Sequence, residues 1–187
     1  MRLTKTTKIL LTASSLWYFG EGLFGPLFAI YAEKIGGDLL DITWAWAFYL
    51  VTTGVFYFII GKYFNHSAYK KHVMIAGYGL NALLTFGYMF VSNPKELFLL
   101  QIGLGIAEAL SAPIWDSLFA SNMEDTENTF HWSLASGHTH FVSGIAIAIG
   151  GLIANYISFD ALFLTMGFIQ VIATFVQAKL LFLNKSN

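Results

Sequence analysis

Six long apolar stretches make up most of this chain and leave little sequence for anything else. They cover residues 9–31, 42–64, 72–91, 96–119, 131–155 and 158–181 and are joined by short connections. A helix that crosses a bilayer needs about 20 mostly apolar residues. Charged residues make up only 11% of the 187 positions, whereas soluble domains carry about 25%. The sequence therefore predicts an all-α polytopic membrane protein, with residues 1–187 forming a single bundle of six transmembrane helices.

The basic residues favour one side of the predicted membrane. The side of the termini would hold Arg2, Lys5, Lys8, Lys62, Lys70, Lys71, Lys179 and Lys185, and the other side Lys34 and Lys95. Lysine and arginine concentrate in cytoplasmic loops. We therefore expect an integral protein of the plasma (inner) membrane with both termini in the cytoplasm. The first stretch imitates a signal peptide, but it is too long and contains Glu21, so we interpret it as a transmembrane helix.

One short pattern occurs twice, near the middle of the first and fourth stretches. Residues 20–27 read GEGLFGPL and residues 107–114 read AEALSAPI, which places Glu21 and Glu108 at offset 87. The first stretch runs outward and the fourth runs inward, so the two copies are antiparallel across the membrane. The repeat predicts that helices 1–3 and 4–6 form a three-plus-three inverted repeat, with a binding site near the repeat interface.

The two acids are the first candidates for a functional site. A charge at a helix centre costs about 2.5–3.5 kcal/mol on insertion scales, so such residues usually face a cavity or a partner. Glu21 and Glu108 are suited to carrying protons or binding a cation, although a glutamate hydrogen-bonded to a neighbouring helix is the alternative. Pro26 and Pro113 follow them by five residues and predict helix kinks that free backbone carbonyls.

Further polar and aromatic residues are weaker candidates for substrate or proton binding. Asp116 lies two turns after Glu108 on nearly the same face, and Trp17 lies one turn before Glu21. Asp116 is a candidate proton exit or salt-bridge partner, with a solvated acid near the interface as the alternative. Trp17 is suited to stacking on a cation, although a lipid or core role is the commoner use of an aromatic residue in this chain. His140 faces either the cavity or a neighbouring helix. Asn81 is a candidate cavity group, but, as for Gln101, Gln170 and Gln177, interhelical hydrogen bonds are its commoner use.

Several kinds of chemistry are disfavoured. The chain has no cysteine and thus no disulfide or thiolate chemistry. His138 and His140 point about 200° apart on a helix, which suits no shared metal. No phosphate loop or basic aromatic patch is present, so we expect no cofactor and no nucleic acid. An intramembrane hydrolase would need a nucleophilic serine in a characteristic sequence motif, and neither Ser136 nor Ser143 lies in one. We therefore expect no enzyme.

The connection between the second and third stretches resembles a cytoplasmic loop motif of the major facilitator superfamily. It reads GKYFNHSAYKKHV from Gly61, against roughly G-x-L-A-D-R-x-G-R-[KR] in the family. Gly61 matches the first glycine, Asn65 replaces the aspartate, His66 replaces the arginine, and Lys70 with Lys71 forms the basic end. Because the central charges are missing, a charge latch between two transporter halves is in doubt.

The resemblance covers the six helices of an amino-terminal half, whereas members of this family usually have twelve. It implies a secondary active transporter of a small molecule, proton-coupled, with helices one and four lining the cavity and the two halves working by alternating access. Two copies in the bilayer would form a homodimer with that architecture. A heterodimer with a second six-helix half, a fragment, and a non-transporting membrane subunit remain alternatives. The polar tail ending at Asn187 favours a complete chain.

Overall fold

The computed structural model describes residues 3–64, 67–123 and 128–183, and within them the chain is helical apart from short connections. The helices in chain order are α1 Lys5–Phe24, α2 Phe28–Lys34, α3 Leu39–Phe64, α4 Lys70–Gly87, α5 Pro94–Ala120, α6 Asn128–Tyr156 and α7 Phe159–Ala178. Short 3-10 turns follow α1, α4 and α7. The all-α prediction is confirmed, and the bounds of α3 to α7 agree closely with the predicted stretches.

Local sequence explains where several helices begin. Thr4, Asn93 and Ser158 each accept a hydrogen bond from a backbone N–H three residues later, at 3.0, 3.2 and 3.0 Å. Such side chains satisfy N–H groups that the first helical turn leaves free. Pro94 stands at the first position of α5, where its missing N–H costs nothing.

The first predicted stretch is interrupted, unlike the other five. α1 ends at Phe24, the 3-10 turn Gly25–Leu27 follows, and α2 then continues the path. Pro26 favours the break, since proline lacks the N–H and its ring clashes with the carbonyl four residues back. Among the described residues, five helices, α3 to α7, are individually long and apolar enough to cross a membrane. α5 in contrast stays helical through Pro113, so only one of the two proline positions breaks its helix.

Helix packing repeats itself within the bundle. α1 packs against α6 and α7, α5 packs against α3 and α4, and α4 packs against α7. Exchanging the first three long helices with the last three, α1 for α5, α3 for α6 and α4 for α7, leaves this pattern unchanged. The packing is therefore that of the three-plus-three inverted repeat inferred from the two Glu–Pro copies.

The core is divided between the two ends of the bundle. One cluster lies on the side of the chain termini, which we call the termini side, and includes Leu10, Trp17, Met74 and Leu180. The other lies at the opposite end of the bundle, which we call the loop side, and includes Leu23. The segments that carry Glu21 and Glu108 pass between these clusters, so the acids lie in a polar layer at mid-bundle. α3 and α6 are the least covered helices, with 17% and 11% of their apolar windows buried against 50% for α5.

Candidate functional site

A cavity of about 490 Å³ lies on the termini side of the bundle, between α1, α5 and α6. Five of the six residues predicted for substrate and proton binding line it: Trp17, Glu21, Glu108, Asp116 and His140. Both acids of the repeated pattern therefore face one space. No lysine or arginine stands among the described residues of this lining, so its fixed charges are carboxylates and it is suited to cations and hydrogen-bond donors.

Glu21 lies where the large cavity meets a smaller one. The smaller cavity, of about 60 Å³, extends toward the loop side and is also lined by Asn81, Tyr88 and Gln101. Glu21, Trp17 and Tyr49 line both cavities. The Glu21 residue is exposed despite its mid-bundle position. A carboxyl group placed at this boundary borders both cavities.

Two amide side chains hold the Glu21 carboxylate. Asn81 on α4 donates from Nδ2 to Glu21 Oε1 at 3.2 Å, and Gln170 on α7 donates from Nε2 to the same oxygen at 3.4 Å. Gln170 Nε2 also donates to the Trp17 carbonyl at 3.1 Å. Asn81 is 2% exposed and lies outside the large cavity. It donates a hydrogen bond to Glu21 and forms part of the wall of the smaller cavity.

Glu108 has a different kind of partner. Tyr57 on α3 donates its hydroxyl hydrogen to Glu108 Oε1 at 3.2 Å. Nearby, the Thr53 hydroxyl donates to the carbonyls of Tyr49 and Gly105 at 2.8 and 3.3 Å. The two acids are equivalent in the repeat, yet one is bound by two amides and the other by a phenol. The repeat is therefore not symmetric in its hydrogen bonding.

Aromatic rings form much of the cavity wall. Trp17 meets Tyr78 edge-on, with ring centroids 4.5 Å apart. Trp115 stacks on Phe119 at 4.8 Å, and its Nε1 donates to the Leu10 carbonyl at 3.2 Å, which ties α5 to α1. Aromatic side chains next to carboxylates are a favourable environment for an organic cation. Asp116 lies beside these rings and is exposed.

The two histidines of α6 separate as predicted from their spacing. His140 lines the cavity, and its Nδ1 lies 2.7 Å from the Ser136 carbonyl. His138 instead bonds through Nε2 to Ser15 on α1. The Ser15 hydroxyl also donates to the Leu11 carbonyl at 2.7 Å. Within the described residues no group of three or more His, Cys, Asp or Glu has metal-binding geometry.

The predicted loop motif is only partly described. Asn65 and His66 lie outside the described residues. Gly61 is exposed in the last turn of α3, and Lys70 begins α4. Lys71 donates from Nζ to the Leu180 carbonyl at 3.2 Å. The basic end of the motif thus contacts the 3-10 turn that follows α7 on the termini side.

The sequence did not indicate Tyr57 as a partner of an acid, and it indicated Gln170 only as a cavity or interhelical amide. Tyr57 is one of many aromatic residues and carries no signal that links it to Glu108. Gln170 is an amide within a long apolar stretch, which indicated an interhelical hydrogen bond but not its recipient. Both depend on helix rotation and crossing, which the spacing along one helix does not specify.

Comparison with known proteins places these observations in a family. The family model described as Major Facilitator Superfamily matches residues 10–187. An uncharacterized MFS-type transporter of Methanocaldococcus jannaschii is 24% identical over 179 residues, covering 94% of this chain and 45% of that relative. The proton-coupled antiporter flippase LtaA of Staphylococcus saprophyticus is 23% identical over 134 residues, covering 70% and 34%. LtaA of Staphylococcus haemolyticus is 25% identical over 92 residues, covering 49% and 23%. The chain thus spans about half or less of the length of these relatives.

Proposed function

Since the chain belongs to the major facilitator superfamily, we propose that it is a secondary active transporter of a small molecule, driven by protons and working by alternating access. One observation carries this proposal. Glu21 and Glu108, from equivalent places in the repeat, line one cavity with Asp116 and with aromatic rings. Charged groups inside a membrane protein mark ion and substrate pathways, and these carboxylates can bind and release a proton.

The cavity chemistry supports a substrate with a positive charge. Its fixed charges are acidic, and the rings of Trp17, Tyr78, Trp115 and Trp132 line it. A substrate cation and a proton would then compete for the same carboxylates, which couples the movement of one to the other. Two of the relatives are named proton-coupled antiporter flippases, and their proton coupling supports the same coupling here.

The chain is proposed to work as a pair, with a second copy as the partner. Every α-helical glycine whose Cβ position meets only open space lies on the weakly covered helices α3 and α6, namely Gly54, Gly61, Gly137, Gly144 and Gly151. Their seven-residue spacing puts each set on one helix face, and small residues let membrane helices approach closely. A two-fold axis along the membrane normal would pair α3 of one copy with α6 of the other and close the cavity. The greater length of the relatives is consistent with a second bundle in that place.

We also propose that both termini lie in the cytoplasm, on the plasma membrane. The described lysines on the termini side include Lys5, Lys8, Lys62 and Lys71, whereas Lys34 and Lys95 lie at the opposite end. This asymmetry supports the orientation because basic residues concentrate in cytoplasmic loops. The larger cavity would then face the cytoplasm.

Reconstitution of the purified chain tests the proposal. Proteoliposomes with an acidic interior are expected to accumulate radiolabelled tetraphenylphosphonium, as an organic-cation probe, above protein-free vesicles, and collapse of the pH gradient is expected to release it. Native mass spectrometry of the same preparation is expected to show two copies. Absence of gradient-driven uptake would contradict transport of organic cations by this chain alone. A different, co-purifying chain would contradict the homodimer.

A further inference from the structure

Gln170 occupies an unusual position beside the proposed proton carrier. Its side chain is fully buried, and Nε2 donates to both Glu21 Oε1 and the Trp17 carbonyl. Its Oε1 is also buried but accepts no hydrogen bond from the described residues. Buried polar atoms are nearly always paired in proteins, so an unpaired amide oxygen next to a carboxyl group requires a reason.

The two protonation states of Glu21 need different partners. A carboxylate only accepts hydrogen bonds, whereas the protonated acid has one O–H donor. The present arrangement, with Asn81 and Gln170 both donating to one oxygen, suits the carboxylate. Rotation of the Gln170 amide by half a turn would place Oε1 where Nε2 now lies, ready to accept from the protonated acid. The torsion at this end of a glutamine is soft.

We propose that Gln170 is a positioning residue that responds to protonation of Glu21 by exchanging its hydrogen bonds. With Glu21 ionised, the amide N–H₂ group binds the carboxylate and the Trp17 carbonyl together. With Glu21 protonated, the turned amide accepts from the acid at Oε1, and because Oε1 and the Trp17 carbonyl oxygen are both acceptors, the hydrogen bond to that carbonyl is lost. Proton uptake thereby loosens the tie between α1 and α7 one turn from the acid. This inference rests on the proposed proton coupling at Glu21.

The local backbone makes room for this amide. A Cβ at Gly20 would lie 2.7 Å from Gln170 Nε2, so only glycine allows the amide to approach α1 so closely. The surrounding titratable groups that line the cavities with Glu21 are Tyr18 on α1, Tyr49 on α3, Tyr78 on α4, Tyr88 in the 3-10 turn after α4, Glu108 and Asp116 on α5, and His140 on α6. The hydrogen bonds described for Glu21 come from the two amides and from none of these groups.

Infrared spectroscopy of the full chain in nanodiscs tests the exchange without any substrate. A pH titration of the original chain reveals the C=O stretching bands of protonated carboxyl groups. The band that is absent from the same titration of Glu21→Gln is assigned to protonated Glu21. In Gln170→Met this band is expected to shift to higher wavenumber, because the acid loses its acceptor. Gly20→Ala is expected to cause the same shift, because the added methyl group on α1 displaces the Gln170 amide. Two different variants therefore test the inference, even if one of them does not fold.

Gln177 provides a matched control on the same helix. It is also fully buried, its Oε1 is also unpartnered, and its Nε2 contacts Met74 Sδ at 3.2 Å rather than an acid. Gln177→Met is expected to leave the Glu21 band in place. An unshifted band in Gln170→Met and Gly20→Ala, or an equal shift in Gln177→Met, would overturn the inference while leaving transport untouched. Absence of any Glu21 band across the titration would instead overturn proton carriage by Glu21 itself.

Discussion

Glu21→Gln is expected to reduce gradient-driven accumulation of tetraphenylphosphonium in proteoliposomes to the level of protein-free vesicles. The variant keeps the size of the side chain and can still accept from Asn81, which donates to Glu21 Oε1. It cannot carry a proton, so it should remove the coupling while leaving the fold intact. Glu108→Gln is expected to have the same effect, because both carboxylates line the cavity. Initial uptake rates with matched protein content are the measurement.

Glu33 supplies the control for this substitution. It is exposed on α2 and lines neither described cavity. Glu33→Gln makes the same chemical change and is expected to retain full uptake. Full uptake by both Glu21→Gln and Glu108→Gln would remove the acids from the mechanism. Equal loss in Glu33→Gln would mean that the effect does not arise from the cavity.

Gly150→Ala is expected to destabilise the bundle strongly. A Cβ at Gly150 on α6 would overlap the backbone of Leu23 on α1, and Leu23 is fully buried in the loop-side cluster. Overpacking a core typically costs about 1–3 kcal/mol, and here the obstacle is backbone that cannot rotate away. α1 must move, and Glu21 lies only two residues from the point of collision. We expect a large drop in apparent melting temperature in detergent.

The neighbouring residue, Gly151, provides a matched control for Gly150→Ala. A Cβ at Gly151 meets nothing within 4 Å, so Gly151→Ala adds the same methyl group one position along α6 without a collision in the single bundle. Because Gly151 belongs to the proposed contact between two copies, both variants are compared in detergent that separates the copies, where the melting temperature of Gly151→Ala is expected to stay close to that of the original chain. Similar drops in both variants would contradict the close packing of α1 on α6 and would indicate only a general cost of altering α6.

Much of the fold was predictable because long apolar stretches have few alternatives in a bilayer. The five later stretches became α3 to α7 with similar bounds, since membrane thickness and polar connections set helix length. The two Glu–Pro copies predicted the inverted repeat, which the exchange symmetry of helix packing bears out. The cavity setting of Glu21 and Glu108 followed from the high cost of leaving a carboxylate in lipid.

The limits of prediction lie in contacts between helices. Pro26 and Pro113 are equivalent in the repeat, yet the first helix breaks and α5 does not. Gly25 precedes Pro26, whereas Ala112 precedes Pro113, and glycine weakens a helix relative to alanine. The partners Tyr57 and Gln170 depend on which helices cross near each acid. Spacing along a single helix carries no such information.

Solvent access at Glu108 tests the central claim most directly. The chain contains no cysteine, so a single introduced thiol can be followed with a positively charged, membrane-impermeant methanethiosulfonate reagent. Only the thiolate reacts, and it forms where water reaches. Glu108→Cys in nanodiscs is expected to react readily. Phe175→Cys, at a residue 70% exposed on α7 that lines neither described cavity, is expected to stay unreactive in lipid. An unreactive Glu108→Cys alongside normal folding would contradict a water-accessible pair of acids.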